Sequence, residues 1–428
     1  MSAAPERWMV ALAARRDVRL GAVAAALGLL VGLGVLGLGH APGTADIDTR
    51  YFFIAGRYWG AGMSAYVPVG VPPQLPPLGD AIELFDFAYA PTSAALCMLV
   101  ALGSFPLACR IMATLNLLAI AVIARIGVGV VEEPGPYAVA PSVSTAQRWF
   151  VPALVAGNLS TIFVVWTGQS TLIVTAALAA AWHWARRGRT VPAGVTLALA
   201  SMKPTLSVFV VLWFLLARRW RVLLVTAASA LVLAWPAIRA EGPLQVLLDW
   251  RIAIGRYGTH WYNALGTRML FNLRSLLNAA GIETPDLLIV GLLVTLVLWW
   301  YRRRITERDV LPLLIGIAML FGFAHGYDVA ALAVLIPSFW RHLHDRPRAG
   351  LVALALLFAI TFPNSLLEGF GSDLLLHARV ALTAGALAWL VVLSAAETAA
   401  DPAAAGVATA AGEVPRLGAP GRWMTPCP

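Results

Sequence analysis

Charge is scarce in this chain. Only 12% of its 428 residues are Asp, Glu, Lys or Arg, while 60% are hydrophobic and the mean hydropathy is +0.77. Ordinary soluble domains are about 25% charged and about 45–50% apolar. So few charges cannot cover a water-exposed surface of this size, which excludes the several soluble domains that length alone would suggest. Lysine is nearly missing: Lys203 stands alone, and the other 30 of the 31 basic residues are arginines. Three cysteines, Cys97, Cys109 and Cys427, make no disulfide framework, and the first two sit in apolar runs as small hydrophobes. No Gly-x-x-x-x-Gly-Lys-Ser/Thr loop occurs, which excludes an ATP-driven pump, and no Cys/His pattern has zinc spacing.

What is present is a series of apolar runs. A membrane span needs about 20 apolar residues at about 1.5 Å rise each. Candidates begin at Leu20–Leu38 and continue through Ala90–Phe105, Ile111–Val131, Phe150–Trp166, Ser170–Trp184, Val191–Ser201 and Pro204–Leu216 to Val380–Leu393. The pattern predicts an all-α polytopic integral membrane protein of about 10–13 membrane helices. The transmembrane domain is expected over residues 1–397, with a disordered Ala/Gly/Pro-rich cytoplasmic tail over 398–428.

The net charge of +9 comes largely from Arg186-Arg187-Gly188-Arg189, Arg218-Arg219-Trp220-Arg221 and Arg302-Arg303-Arg304, which lie between apolar runs. Short cytoplasmic loops collect such residues, so nucleic acid is not the expected partner. Arg15, Arg16 and Arg19 precede the first run, which predicts an uncleaved span with the N-terminus inside. About 28 residues separate the first two clusters, too few for two spans at about 20 residues each. The break falls at Met202-Lys203-Pro204, so two half-helices are expected to meet at a cavity with Lys203 near its outer end. The segments before Arg186 have the wrong parity, which makes Ala90–Phe105 a candidate re-entrant segment.

Two long loops, about residues 40–89 and 239–286, are expected on the outside. The first carries Asp46, Asp48, Asp80, Glu83 and Asp86; the second is rich in aromatics and amides, including Tyr257, His260 and Asn263. Loops this long are functional or disordered, and the aromatics argue against disorder. After Asp46 and Asp48 comes the aromatic, amphipathic stretch Arg50–Trp59, suited to the membrane interface. A carboxylate held there can act as a general base; the alternatives are a solvated acidic loop or a helix cap. Gly168-Gln169-Ser170 is either a tight turn or a polar cavity wall. Lys203 is a good point-charge partner for a phosphate, or else a snorkelling lysine at a helix end. His325-Gly326-Tyr327-Asp328 gathers an imidazole, a phenol and a carboxylate in one turn.

Taken in order, these pieces resemble a known family. Asp48-Thr49-Arg50-Tyr51 follows the first span, then Phe87-x-Tyr89-x-Pro91, the Gly168-Gln169 turn, Arg-Arg-Gly-Arg, Ala193-Gly194, the Lys203-Pro204 break and Arg-Arg-Trp-Arg. The set, over about Leu20 to Pro363, is similar to family 87 of the GT-C class, the polyprenyl-phosphate-sugar-dependent mannosyl- and arabinofuranosyltransferases. The resemblance implies a GT-C-like bundle in the cell membrane, with its active site on the outer side. It implies transfer of a hexose, most simply mannose, or an arabinofuranosyl group, from a polyprenyl-monophosphate sugar to a glycolipid or glycan. Asp48 matches the general base through the Asp-x-Arg pattern, with Asp46 the alternative. Lys203 and His325 would hold the donor phosphate, and Arg50, Tyr89, Gln169, Asn263 and Tyr327 would bind substrate. Asn263 is followed by Ala264-Leu265 where the family usually has Gln-Ser. No cofactor is implied, and a divalent ion at Asp46 and Asp48 stays open. A lipid flippase or sugar transporter also fits broken helices with a buried lysine, and a structural membrane subunit is a third class.

Overall fold

The computed structural model describes residues 23, 28, 32, 46–67, 86–132, 145–267, 269–345, 347–361 and 373–399. The expected first span at Leu20–Leu38 therefore lies almost wholly outside the described residues, as do Asp80, Glu83 and positions 400–428. Among the described residues the chain is helical, with no strand beyond an isolated bridge between Leu270 and His325. Among the described residues, three helices are long and apolar enough to cross a membrane: Phe105–Glu132, Trp220–Glu241 and His377–Ala399. A fourth forms if Phe150–Ala156 and Leu159–Thr167, bent by 50°, count as one span.

We number the helices in chain order. α1 is Ile47–Gly60. After it, a 3-10 turn at Pro91–Ser93 leads into α2, Ala94–Val100. The Ala90–Phe105 segment, a candidate span or re-entrant segment, is too short to cross: its helical part stops at Val100, and the chain turns through Ala101–Ser104 before α3, Phe105–Glu132, begins. Ten helical residues cover about 15 Å, half of the roughly 30 Å hydrocarbon layer. α2 packs closely on α1 because Gly56 has no side chain; a Cβ there would sit 2.1 Å from the Cys97 carbonyl oxygen.

α4, Thr145–Ala156, and α5, Leu159–Thr167, are separated by Gly157-Asn158, and the Asn158 side chain caps α5 by accepting from Ser160 N at 2.9 Å. α6 is Thr171–Arg186. The Lys-Pro break then divides α7, Thr190–Ala200, from α8, Pro204–Leu216. Pro204 stands at the first position of α8, where its missing N–H is no loss. These helices span only about 16 and 20 Å, so they meet inside the bundle. α9 is Trp220–Glu241.

The second long loop is ordered. It forms α10, Gln245–Thr259, a 3-10 turn at Trp261–Asn263, and α11, Leu273–Ala279. α12, Leu288–Trp300, and α13, Glu307–Phe321, follow. A nine-residue 3-10 helix, Gly326–Val334, precedes α14, Leu335–Asp345; runs beyond three or four residues are uncommon and often mark functional segments. α15, Pro347–Thr361, and α16, Asp373–Ala399, complete the bundle, so helix continues two residues past the expected domain boundary at 397.

The bundle is polarised. Trp182, near the end of α6, stacks on Phe214, near the end of α8, with ring centroids 5.6 Å apart. Trp213 of α8 meets Trp299 of α12 at 4.9 Å, and Arg186 pairs with Glu307 at 3.4 Å. All three arginine clusters therefore share one end. The starts of α6 and α8 and the turn after α13 lie at the other end, and there the functional side chains converge.

Candidate active site

Backbone contacts at this end assemble segments far apart in sequence. The Asp46 amide donates to the Trp166 carbonyl at 2.9 Å, pinning the start of α1 to the end of α5. Gly168 closes α5 at φ 70°, and a Cβ there would strike Thr49 Oγ1 at 1.9 Å. Glycine is required both by the left-handed backbone and by the approach of α1. The Ala90 amide donates to the Met202 carbonyl at 3.1 Å, setting the Tyr89 strand of chain against the Lys-Pro break. Phe271 N donates to Ala324 O at 2.8 Å and Gly326 N to Met269 O at 2.9 Å, so the second long loop holds the His325 turn from both sides.

At the centre is Lys203. It is buried, forms an ion pair with Asp328, and donates to Thr171 Oγ1 at 3.1 Å. The Thr171 hydroxyl in turn donates to Asp328 Oδ1 at 2.6 Å. Asp328 also accepts from the His325 backbone amide at 3.0 Å, capping the 3-10 helix. The ammonium lies 5.0 Å from the Tyr327 ring centroid and 6.0 Å from that of Tyr89, within cation–π range. The Tyr89 hydroxyl donates to Gln169 Oε1.

His325 belongs to the same constellation. Asn263 Nδ2 donates to the Tyr257 carbonyl at 2.6 Å, so its Oδ1, 2.8 Å from His325 Nε2, is an acceptor. The imidazole therefore carries its proton on Nε2, and Nδ1 accepts from the Tyr327 hydroxyl at 3.1 Å. Burial pushes its pKa down to about 4, so the ring is neutral here. The Tyr327 ring stacks on it at 4.9 Å and 12°.

The two acidic residues at the start of α1 have different surroundings. Asp48 lies in the first turn of the helix, while Asp46 precedes it with a left-handed backbone, φ 55°. Asp46 reaches Cys109, Thr49 and Arg50. Asp48, partly buried, faces the Thr167 hydroxyl and the charges of Lys203 and Asp328. α1 lies outside the candidate spans, and burial pushes the Asp48 carboxyl up to about 7 although Lys203 pulls it down. A carboxyl near 7 exchanges protons readily at neutral pH.

Of the residues singled out from sequence, Asp48, Tyr89, Gln169, Lys203, Asn263, His325 and Tyr327 are brought together. Asp46 and Arg50 are placed to one side: the Arg50 guanidinium lies over Phe105 at 5.8 Å and acts on Asp46. Sequence reasoning did not single out Thr171; it had Thr167 only as a hydroxyl of the Gly-Gln-Ser turn and Tyr257 only as one aromatic of the second loop, and it left Asp328 without a role. Thr171 directly follows the Gly-Gln-Ser turn, and Asp328 ends the His-Gly-Tyr-Asp turn; those were the available signals.

Over this constellation lies α10. Asp86 pairs with Arg256 at 3.2 Å and with His260 at 2.8 Å, and Trp250 Nε1 donates to Ala88 O at 3.0 Å, joining the two long loops. Among the described residues, the one group of three His, Cys, Asp or Glu close enough to share a metal is Asp309, His342 and Glu397. It lies at the arginine end, and Glu397 is already bonded by Arg308 and Arg341. That arrangement is an ion-pair network, with two guanidinium groups where a cation would repel them.

Neither the curated proteins nor the solved structures offer a match. The family model for glycosyltransferase family 87 matches residues 87–367, about two thirds of the chain. The match takes in Tyr89, Gln169, Lys203, Asn263, His325 and Tyr327, while α1 with Asp46 and Asp48 precedes it. An apolar helical bundle with a lysine-centred polar site at one end thus belongs to glycosyltransferase family 87, and the chain is an enzyme that transfers sugars.

Proposed function

We propose that the enzyme has a GT-C-like architecture and transfers a hexose, most simply mannose, from a polyprenyl-monophosphate sugar to a glycolipid or glycan acceptor. The reaction would take place on the outer face of the cell membrane and invert the anomeric centre. The observation that carries this reading is the buried Lys203, held by Asp328 and Thr171 at the end of the bundle opposite the arginine clusters, with Asp48 within range of its charge.

In this reading the acceptor hydroxyl oxygen attacks the anomeric carbon as the bond from that carbon to the phosphate oxygen breaks. The phosphate leaves with the bonding pair, and Asp48 takes the hydroxyl proton. One base and no covalent intermediate suffice for inversion. The leaving phosphate gains charge in the transition state, and a fixed cation there lowers the barrier. Lys203 has three ammonium hydrogens. Asp328 and Thr171 orient two, leaving the third for a phosphate oxygen. His325, neutral and held by Asn263 and Tyr327, fixes the wall beside that phosphate. Tyr89 and Gln169 bind the sugar or the acceptor. The lysine does the work a metal does in other transferases, so the reaction is proposed to be metal-independent.

The test is a transfer assay. Purified protein in lipid receives radiolabelled polyprenyl-phosphate mannose and a crude membrane-lipid extract. Labelled glycolipid, lost in Asp48→Asn and unaffected by a chelator, is the expected result. Product only from the arabinofuranosyl donor would change the sugar and keep the class. Full turnover in Asp48→Asn would remove the base assignment, and loss of activity with chelator would remove metal independence.

A further inference from the structure

α10 is amphipathic in the wrong sense for a helix that meets water. Its inner side carries Val246, Asp249 and Ala253, which are buried, and Trp250, Arg256 and Tyr257, which are half-buried. Its outer side carries Leu247, Leu248, Ile252 and Ile254, with Leu244 just before it, and these five are 44–69% exposed. Arg251 lies among them, while Asp249 is turned inwards and accepts from Gln245 Nε2 at 2.7 Å. A helix facing water shows the reverse pattern, charged and polar outside. A contiguous apolar patch of this kind marks a surface that meets a partner or a membrane.

The surroundings choose the membrane. α9, the span that leads into α10, stands at the margin of the bundle and exposes Leu224, Leu231, Val232 and Trp235. Only Gly242 and Pro243 separate the end of α9 from Leu244, so the apolar surface of α10 begins where the span leaves the hydrocarbon layer. The 15 residues of α10 cover about 22 Å, less than the roughly 30 Å of that layer, and Asp249 and Arg256 oppose a crossing in any case. Contacts with Ala88, Asp86 and the Tyr66 carbonyl lay the helix across the active-site end of the bundle. Trp261, 72% exposed just beyond its end, is of the type that settles at the membrane–water boundary.

We propose that α10 lies in the plane of the membrane leaflet at the active-site end. Leu244, Leu247, Leu248, Ile252 and Ile254 would sit among the acyl chains, and Arg251 would reach along its own stem to the lipid phosphates. The same helix walls the site on its inner side. The Tyr257 hydroxyl lies 3.4 Å from His325 Nε2, and the Tyr257 carbonyl holds Asn263, which holds that imidazole. The leaflet therefore sets where this wall stands. The membrane contact is independent of the sugar-transfer reading, while its effect on turnover rests on that reading.

The experiment uses the full-length chain in lipid nanodiscs, with Cys97→Ala, Cys109→Ala and Cys427→Ala as background. A nitroxide is attached at Leu247→Cys, Leu248→Cys or Ile252→Cys in turn. Oxygen dissolves among acyl chains and a nickel chelate stays in water. Spin relaxation should place each label about 5–10 Å into the leaflet, open to oxygen and shielded from the chelate. A label at Gly188→Cys, in an arginine cluster, should show the opposite. Labels on α10 open to the chelate would overturn the proposal, and shielding from both reagents would overturn it in favour of a covering protein segment or a second copy. Leu248→Glu with Ile252→Glu alters exposed side chains alone; it should abolish the shielding at Leu247→Cys and lower transfer several-fold in nanodiscs. Normal transfer by that pair would overturn the effect on the site. No transfer by the unaltered chain would count against the function and leave the label depths as expected.

Discussion

Both ends of the bundle bury opposite charges among helices, and they do so differently. At the arginine end Glu397 accepts from Arg308 and Arg341, while Asp309 accepts from Thr306 at 2.5 Å and lies 3.6 Å from His342. Thr306 also joins Ser394, tying the start of α13 to α16. Each acidic side chain there is held by groups of its own network. At the other end Lys203 is oriented by Asp328 and Thr171, but phenols and amides surround it, and a second carboxylate, Asp48, stands by with its pKa near neutrality. An ion-pair network shared by α13, α14 and α16 fixes helices. An ammonium with donor capacity left over, beside a half-ionised carboxyl, is suited to handling a substrate.

The sharpest way to break this contrast is a pair of isosteric changes. Asp48→Asn should lower turnover about 10²–10⁴-fold, the usual contribution of a general base, with no change in unfolding temperature. Glu397→Gln should do the reverse. It leaves Arg308 and Arg341 facing a neutral amide inside the bundle, which destabilises by about 3–5 kcal/mol, while the folded fraction keeps its turnover. Rate assays and unfolding curves on both proteins decide the matter. A Glu397→Gln enzyme that is stable and inactive would show that the arginine end is not merely structural.

Next in size is Lys203→Met. Removing the cation from a developing phosphate charge should slow transfer about 10²–10³-fold. Because it also strands Asp328, the double change Lys203→Met with Asp328→Leu serves as the control. Replacing both members of a buried ion pair with apolar groups is often neutral for stability. The double variant should therefore recover its unfolding temperature and stay inactive. Recovery of activity along with stability would make the pair a staple, like its counterpart at the arginine end.

A smaller effect is expected from pH. The base works only when ionised, and the Asp48 carboxyl is raised from 3.8 to about 7 by burial. Turnover should therefore be flat above about pH 7 and fall about tenfold for each unit below it. The neutral His325, pushed down to about 4, stays unprotonated across that window and does not bend the curve. A limb near pH 4 instead would mean that Asp48 is solvated in the working enzyme.

Much of this contrast was legible in the sequence, and the missing part has a physical cause. Pro204 and the run after it fixed the bounds of α8 as Pro204–Leu216, since proline opens a helix and the arginines end it. The arginine clusters announced a shared end. Lys203 stood out by its solitude. Its partner did not, because Asp328 lies 125 residues away and Thr171 lies 32 away, and such contacts leave no periodic trace. Ala90–Phe105 looked like a span because apolar composition continues through Ala101–Ser104, where the helix stops. Composition reports burial, and it does not report where a backbone turns.

The last test concerns the residue that pattern and geometry treat most differently. Arg50 belongs to the Asp-x-Arg pattern, so the resemblance assigns it to substrate. In the folded chain its guanidinium lies over the Phe105 ring and acts on Asp46, on the side of α1 away from Lys203. Arg50→Gln keeps a long polar side chain and leaves Asp48, Thr167 and Lys203 untouched. Substitutions away from the chemistry usually matter by less than about 0.5 kcal/mol, so kcat/KM should stay within about threefold of the unaltered enzyme. A loss as large as that of Asp48→Asn would require α1 to turn when substrate binds, carrying Arg50 towards the phosphate. The left-handed backbone at Asp46, φ 55°, and the Asp46–Trp166 hydrogen bond would then have to break, which amide exchange at Asp46 would register.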